Sequence, residues 1–97
     1  MSEYKLLEKP VIASIRCYNV MFNLLLVTEA DMENLRVFSA MFQSGDLLMR
    51  DIDKWCDGHD IKYRTTFHYR TDFPLKSNLY NFYVYTRFKV SKRLGIE

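Results

Sequence analysis

The stretch IKYRTTFHYRTDFPLKSNLYNFYVYTRFKVS, residues 61–91, decides the fold as the sequence presents it. Its first part alternates strictly. Ile61, Tyr63, Thr65, Phe67, Tyr69, Thr71 and Phe73 fall on one side, and Lys62, Arg64, Thr66, His68, Arg70 and Asp72 on the other. A period of two is the mark of an extended strand with one buried and one solvated face. The last part repeats it, with Tyr80, Phe82, Val84, Thr86, Phe88 and Val90 set against Asn81, Tyr83, Tyr85, Arg87, Lys89 and Ser91. PLKSN, residues 74–78, supplies turn-forming residues between the two parts, so the stretch predicts a β-hairpin with a basic outer face.

Upstream, residues 28–58 predict helix. Thr28 with Asp31 resembles a capping box in which Asp replaces the usual Glu, and Glu29, Asp31 and Glu33 crowd the first turn, where the helix dipole stabilises them. Leu35, Phe38, Met41, Phe42, Leu48, Met49, Ile52, Trp55 and Cys56 then recur at three- and four-residue spacing as a core stripe. QSGD, residues 43–46, offers a break, so one bent helix or two in tandem are expected, closed by Gly58 in a left-handed helix end. Residues 11–27, VIASIRCYNVMFNLLLV, fit a helical stripe of Val11, Ile15, Tyr18, Phe22 and Leu25, or extended chain turning at Tyr18 and Asn19. The step from LLLV straight into TEAD favours strand. The expected fold is α+β: a single domain over residues 1–97, with a mainly antiparallel sheet of three or four strands and the central helical region packed on one face.

Composition narrows the function classes. A chain of 97 residues that is 48% hydrophobic and 15% aromatic can bury one core, and with 3 Gly it has no glycine-rich phosphate loop. No apolar run approaches the roughly 18 residues of a membrane span, and the N-terminus lacks the pattern of a secretory signal, so a soluble, cytoplasmic protein is expected. Cys17 and Cys56 then read as reduced, buried thiols. A zinc site joining them to His59 and His68 lacks paired short spacings, and neither a metal nor a cofactor is expected.

Charge is unevenly divided. Residues 1–27 carry three basic and two acidic groups, residues 28–60 three and eight, and residues 61–97 eight and two. Catalysis has one weak candidate: in CDGHDI, His59 lies between Asp57 and Asp60, within reach of carboxylates that can charge an imidazole, although a solvated helix end has the same composition. The serines lie in no nucleophile elbow, and neither cysteine has an evident base beside it.

The basic hairpin face carries the functional expectation. Lys62, Arg64 and Arg70 from one strand, with Tyr83, Tyr85, Arg87 and Lys89 from the other, combine cations with phenol rings. Such a set suits a protein partner or a protein–nucleic acid complex, since Tyr and Arg anchor interfaces, and equally single-stranded nucleic acid, since rings stack on bases. Glu33, Asp46, Asp51, Asp53 and Asp57 are expected to point the other way, making the domain electrically two-sided. In texture the chain is similar to small accessory or inhibitory proteins, viral ones included, that act by occupying another macromolecule. A non-enzymatic binding protein is therefore the leading reading, a direct nucleic-acid binder the alternative, and an enzyme using His59 the third.

Overall fold

The computed structural model describes residues 5–41 and 48–95. In chain order they form β1 (Leu6–Cys17), β2 (Val20–Thr28), α1 (Glu29–Met41), α2 (Met49–Gly58), β3 (Lys62–Phe67) and α3 (Leu75–Leu94). The strands make one antiparallel sheet in the order β1-β2-β3, and the architecture is α+β.

Residues 11–17 and 20–27 are strand, joined by a turn at Tyr18 and Asn19. Cys17 pairs with Val20 across the two-residue turn, and Tyr18 there takes a left-handed backbone (φ 55°). Alternation along β2 sends Val20, Phe22, Leu24 and Leu26 into the core, where all four are buried. Register then carries the inward face across the sheet: Ile15 lies opposite Phe22, and Phe22 opposite Thr65. The outward rows are Ile12, Leu25 and Lys62; Ser14, Asn23 and Arg64; and Arg16, Met21 and Thr66.

The Thr28–Asp31 cap forms as the sequence predicts. The Asp31 amide donates to Thr28 Oγ1 (3.0 Å), and the Thr28 and Val27 amides donate to the Asp31 carboxylate (3.1 and 2.9 Å). From the predicted stripe, Phe38, Ile52 and Cys56 are buried, with Leu35, Met49 and Trp55 packed against them. Phe38 stacks on Trp55 at 4.3 Å, which fixes α1 against α2. The break expected at QSGD lies outside the described residues. Gly58 does not supply a left-handed end; that backbone falls at Asp60 (φ 56°), a residue type that tolerates it.

The predicted hairpin is corrected in its second half. Alternation holds only along β3, and residues 75–94 are a helix that runs back along β3. Pro74 precedes its first turn and accepts the Asn78 amide (3.1 Å), while Gly95 (φ 76°) ends it in a left-handed cap after Lys92 and Arg93. Both ends are standard helix boundaries. α3 packs Phe82 and Tyr85 on Phe67, and Phe88 on Phe22.

Two buried amides seat α3. Asn19 Nδ2 donates to the His68 carbonyl (2.9 Å) and to Asn78 Oδ1, and Asn81 Nδ2 donates to Asn19 Oδ1 (2.7 Å). Asn78 also accepts the Arg70 amide (2.9 Å) and donates to the carbonyls of Arg70, Phe73 and Pro74. Asn78→Ala strands both the Asn19 amide and the Arg70 N–H, each costing about 1–3 kcal/mol when buried. In urea denaturation it is expected to lower stability by about 3 kcal/mol or more, against about 1–2 kcal/mol for Asn81→Ala, which strands only the Asn19 Oδ1. Equal losses for the two variants would contradict this assignment of the network.

Candidate functional site

The residues expected to share one basic face are divided by the fold. Lys62 and Arg64 do point outward from β3, as the alternation requires, next to Thr66, whose hydroxyl bonds His68 Nε2 (3.0 Å). Arg70 lies beyond the strand. Its guanidinium grips the Asp72 carboxylate (Nε–Oδ1 3.0 Å), donates to the Tyr18 carbonyl (3.2 Å) and stacks over Phe73 at 4.1 Å. The hydrogen bond from Arg70 holds the Asp72 carboxyl below the usual carboxylate range. Arg70 is thus a brace between the β1–β2 turn and the entry to α3.

The other four sit on α3. Tyr85 is buried, its hydroxyl 3.0 Å from Thr65 Oγ1, and it belongs to the core. Its place in a stacking platform is withdrawn, because on a helix residue 85 turns inward with 78, 81 and 88. Lys89 lies with its ammonium 5.5 Å from the Tyr85 ring centre. It shares a shallow concavity with Lys62, Arg64 and Lys92, in which Asp53, Asp57 and Asp60 also take part. Tyr83 is exposed and accepts a hydrogen bond from Arg87 Nη1 (3.1 Å). Lys62, Arg64 and Lys89 therefore border one concavity from two elements, Tyr83 and Arg87 form a separate pair, and Arg70 and Tyr85 are structural.

The two-sided charge distribution is corrected as well. Asp53 does not point away from the basic segment: its carboxylate accepts the Tyr63 hydroxyl (2.7 Å) and the Lys92 ammonium (2.8 Å), joining α2, β3 and α3. Asp51 accepts the Leu48 amide (3.3 Å) at the start of α2, and exposed Glu33 pairs with Arg36. Asp46 lies outside the described residues.

A surface absent from the sequence reading emerges on α3. Leu75, Leu79, Tyr83, Val90 and Leu94 fall within one side of the helix, opposite the core-facing Asn78, Asn81, Tyr85 and Phe88. All five are exposed, Leu79 at 61% and Leu94 at 64%, far beyond what a packed leucine shows. Lys89 and Arg93 border this stripe on one side, and Lys76 and Arg87 on the other. α3 carries five cations and no carboxylate. The helix boundaries Pro74 and Gly95 were the signals in the sequence from which this face could be found.

His59 closes α2. Its Nδ1 lies 2.9 Å from the Trp55 carbonyl and its ring packs on Trp55 at 4.8 Å. Among the described residues it forms no hydrogen bond or ion pair with Asp57 or Asp60, and no group of three or more His, Cys, Asp and Glu is placed to hold a metal. No helix among them is long and apolar enough to cross a membrane. No family model, curated protein or solved structure is significantly similar to the chain.

Cys17 and Cys56 are both buried. Burial, with Asp51 near the first and Asp53 and Asp57 near the second, pushes their thiols from about 9 up to about 11 and about 12. Burial and the Asp53 hydrogen bond also push the Tyr63 phenol well above its usual range. Each group keeps its proton longer folded than unfolded, so the thiols' stabilisation is complete below pH 9 and is lost as pH rises from about 9 towards 12, and the phenol adds to the fall only above pH 10. Denaturant midpoints are expected to hold between pH 7 and 8 and to fall steadily above pH 9. A Cys17→Ala/Cys56→Ala variant, less stable throughout, should show a shallower alkaline fall.

Proposed function

We propose that this chain is a non-enzymatic binding protein that docks an acidic protein partner on the solvent face of α3. One observation carries the reading: an apolar stripe from Leu75 to Leu94 lies uncovered on a helix that is firmly seated on its other side. An exposed leucine by itself means little, but five large side chains in line, bordered by cations, have the layout of a helix–groove interface.

Charge selects among occupants. A second copy meeting the first through α3 would set five cations against five. Nucleic acid would satisfy the cations and stack on Tyr83, yet it has nothing to bury Leu79, Val90 or Leu94 against. The other cation cluster, around Lys62, Arg64 and Lys89, contains three carboxylates that oppose a phosphate backbone. An amphipathic acidic segment matches both the apolar stripe and its borders.

The test is affinity purification from native cells with nuclease, comparing the natural chain with Leu79→Glu/Val90→Glu. Both substitutions are on the exposed side, so circular dichroism and thermal midpoint should change little. The expected result is an acidic partner kept after nuclease and reduced at least about tenfold by the double substitution. Partners lost on nuclease treatment, with oligonucleotide binding that weakens steeply between about 50 and 200 mM salt, would establish the nucleic-acid reading instead. Retention by both proteins would rule out α3 as the docking face.

A further inference from the structure

A second feature lies on the other flank of α3. Between α2, α3 and the β1–β2 turn is a cleft of about 670 Å³, within the range of about 300–1,000 Å³ that small-molecule sites occupy. Val20 and Cys17 form part of its lining from the sheet, Met49 from α2, and Val84 and Phe88 from α3. We propose that this cleft binds a small anionic amphiphile: a carboxylate, sulfonate or phosphate carried on an apolar or aromatic body.

The sign of the ligand follows from the charges around the cleft. Arg50, Lys54, Arg87 and Lys92 line it, against one carboxylate, Asp53. Asp53 is already engaged by the Tyr63 hydroxyl and the Lys92 ammonium. Arg87 is turned to Tyr83. Among the described residues Arg50 and Lys54 have no ion-pair partner, which leaves two uncommitted cations beside an apolar floor. An organic cation would be repelled, and an anion gains charge-assisted contacts.

The apolar character of the body follows from the polar lining. The Asn19 amide donates to His68 and Asn78 and accepts from Asn81, so it is held by the fold rather than offered to a ligand. The Asn81 amide is spent on Asn19 in the same way, and beside the hydroxyls of Tyr18, Tyr80 and Ser91 the lining offers aliphatic and aromatic surface.

8-Anilinonaphthalene-1-sulfonate has this chemistry, and N-phenyl-1-naphthylamine is nearly the same body without the sulfonate. Fluorescence titration of the native protein is expected to give saturable one-to-one binding of the sulfonate, about tenfold tighter than the neutral probe. Arg50→Gln/Lys54→Gln, both exposed positions, should weaken the sulfonate about tenfold and leave the neutral probe unchanged. Val84→Trp, which fills the cleft, should abolish both; if that variant does not fold, the glutamine pair alone decides. Amide shifts on binding should centre on Val20, Met49, Val84 and Phe88. Absence of saturable binding, equal affinity for the two probes, or a sulfonate affinity untouched by the glutamine pair would overturn the proposal. Shifts centred on Leu79 and Val90 would do so too, by moving the probe to the outer face of α3.

Discussion

The buried amide pair of Asn19 and Asn78 is the constraint on which the arrangement of the other elements rests. Withdrawing two carboxamides from water is unfavourable unless nearly every donor and acceptor finds a partner. Here they do so only when the β1–β2 turn, the backbone just past β3 and the first turn of α3 meet at one point. Apolar burial is less exacting. Phe82, Tyr85 and Phe88 would still bury area if α3 slid or rotated slightly on the sheet, but the amides tolerate little displacement before a hydrogen bond is lost. The clasp therefore sets the register of α3, and the core rings follow it.

Much of the fold was legible because local chemistry and tertiary burial agree. Thr28 and Asp31 cap α1 from within four residues, the turn at Tyr18 and Asn19 joins two alternating strands, and the stripe through Phe38, Ile52 and Cys56 has only one face to bury. Residues 75–94 misled because α3 is apolar on two sides. Tyr85 and Phe88 face the core while Leu79, Tyr83 and Val90 face solvent, which spreads apolar residues round the axis and blurs the 3.6-residue period. A chance alternation from Tyr80 to Val90 then reads as strand, and aromatic residues reinforce it. Pro74 and Gly95 carried the correct message, since they bound a helix at its two ends, but boundary signals weigh little against an apparent period.

The same misreading dispersed the expected site. Alternation puts residues 83, 85, 87 and 89 on one face, whereas a helix turns about 100° per residue and sets successive members of this set about 200° apart, so Tyr85 enters the core and Tyr83 leaves it. The charge asymmetry survives in another form. Five of the eight cations in residues 61–97 lie on α3, and one of them, Lys92, meets the acidic segment directly through Asp53. Opposite charges separated in sequence are thus partly joined in space, and the basic excess that remains lies along a helix rather than across a sheet.

The cleft follows from a mismatch in helix length. At 1.5 Å per residue, the 20 residues of α3 span about 30 Å and the 10 of α2 about 15 Å. α3 is drawn towards β3 along its whole length: by the clasp at its start, by Phe67 in its middle and by Asp53 near its end. α2 is tied down at its middle, where Asp53 holds Tyr63 and Lys92, and at its far end, where Ile61 donates to the Cys56 carbonyl (2.8 Å). Its first turns therefore border α3 without closing on it, and the space towards Tyr18 and Val20 is left open. Repacking side chains such as Val84 or Met49 can narrow that space, whereas moving α3 across it would cost the hydrogen bonds that Asn19 makes to Asn78 and Asn81.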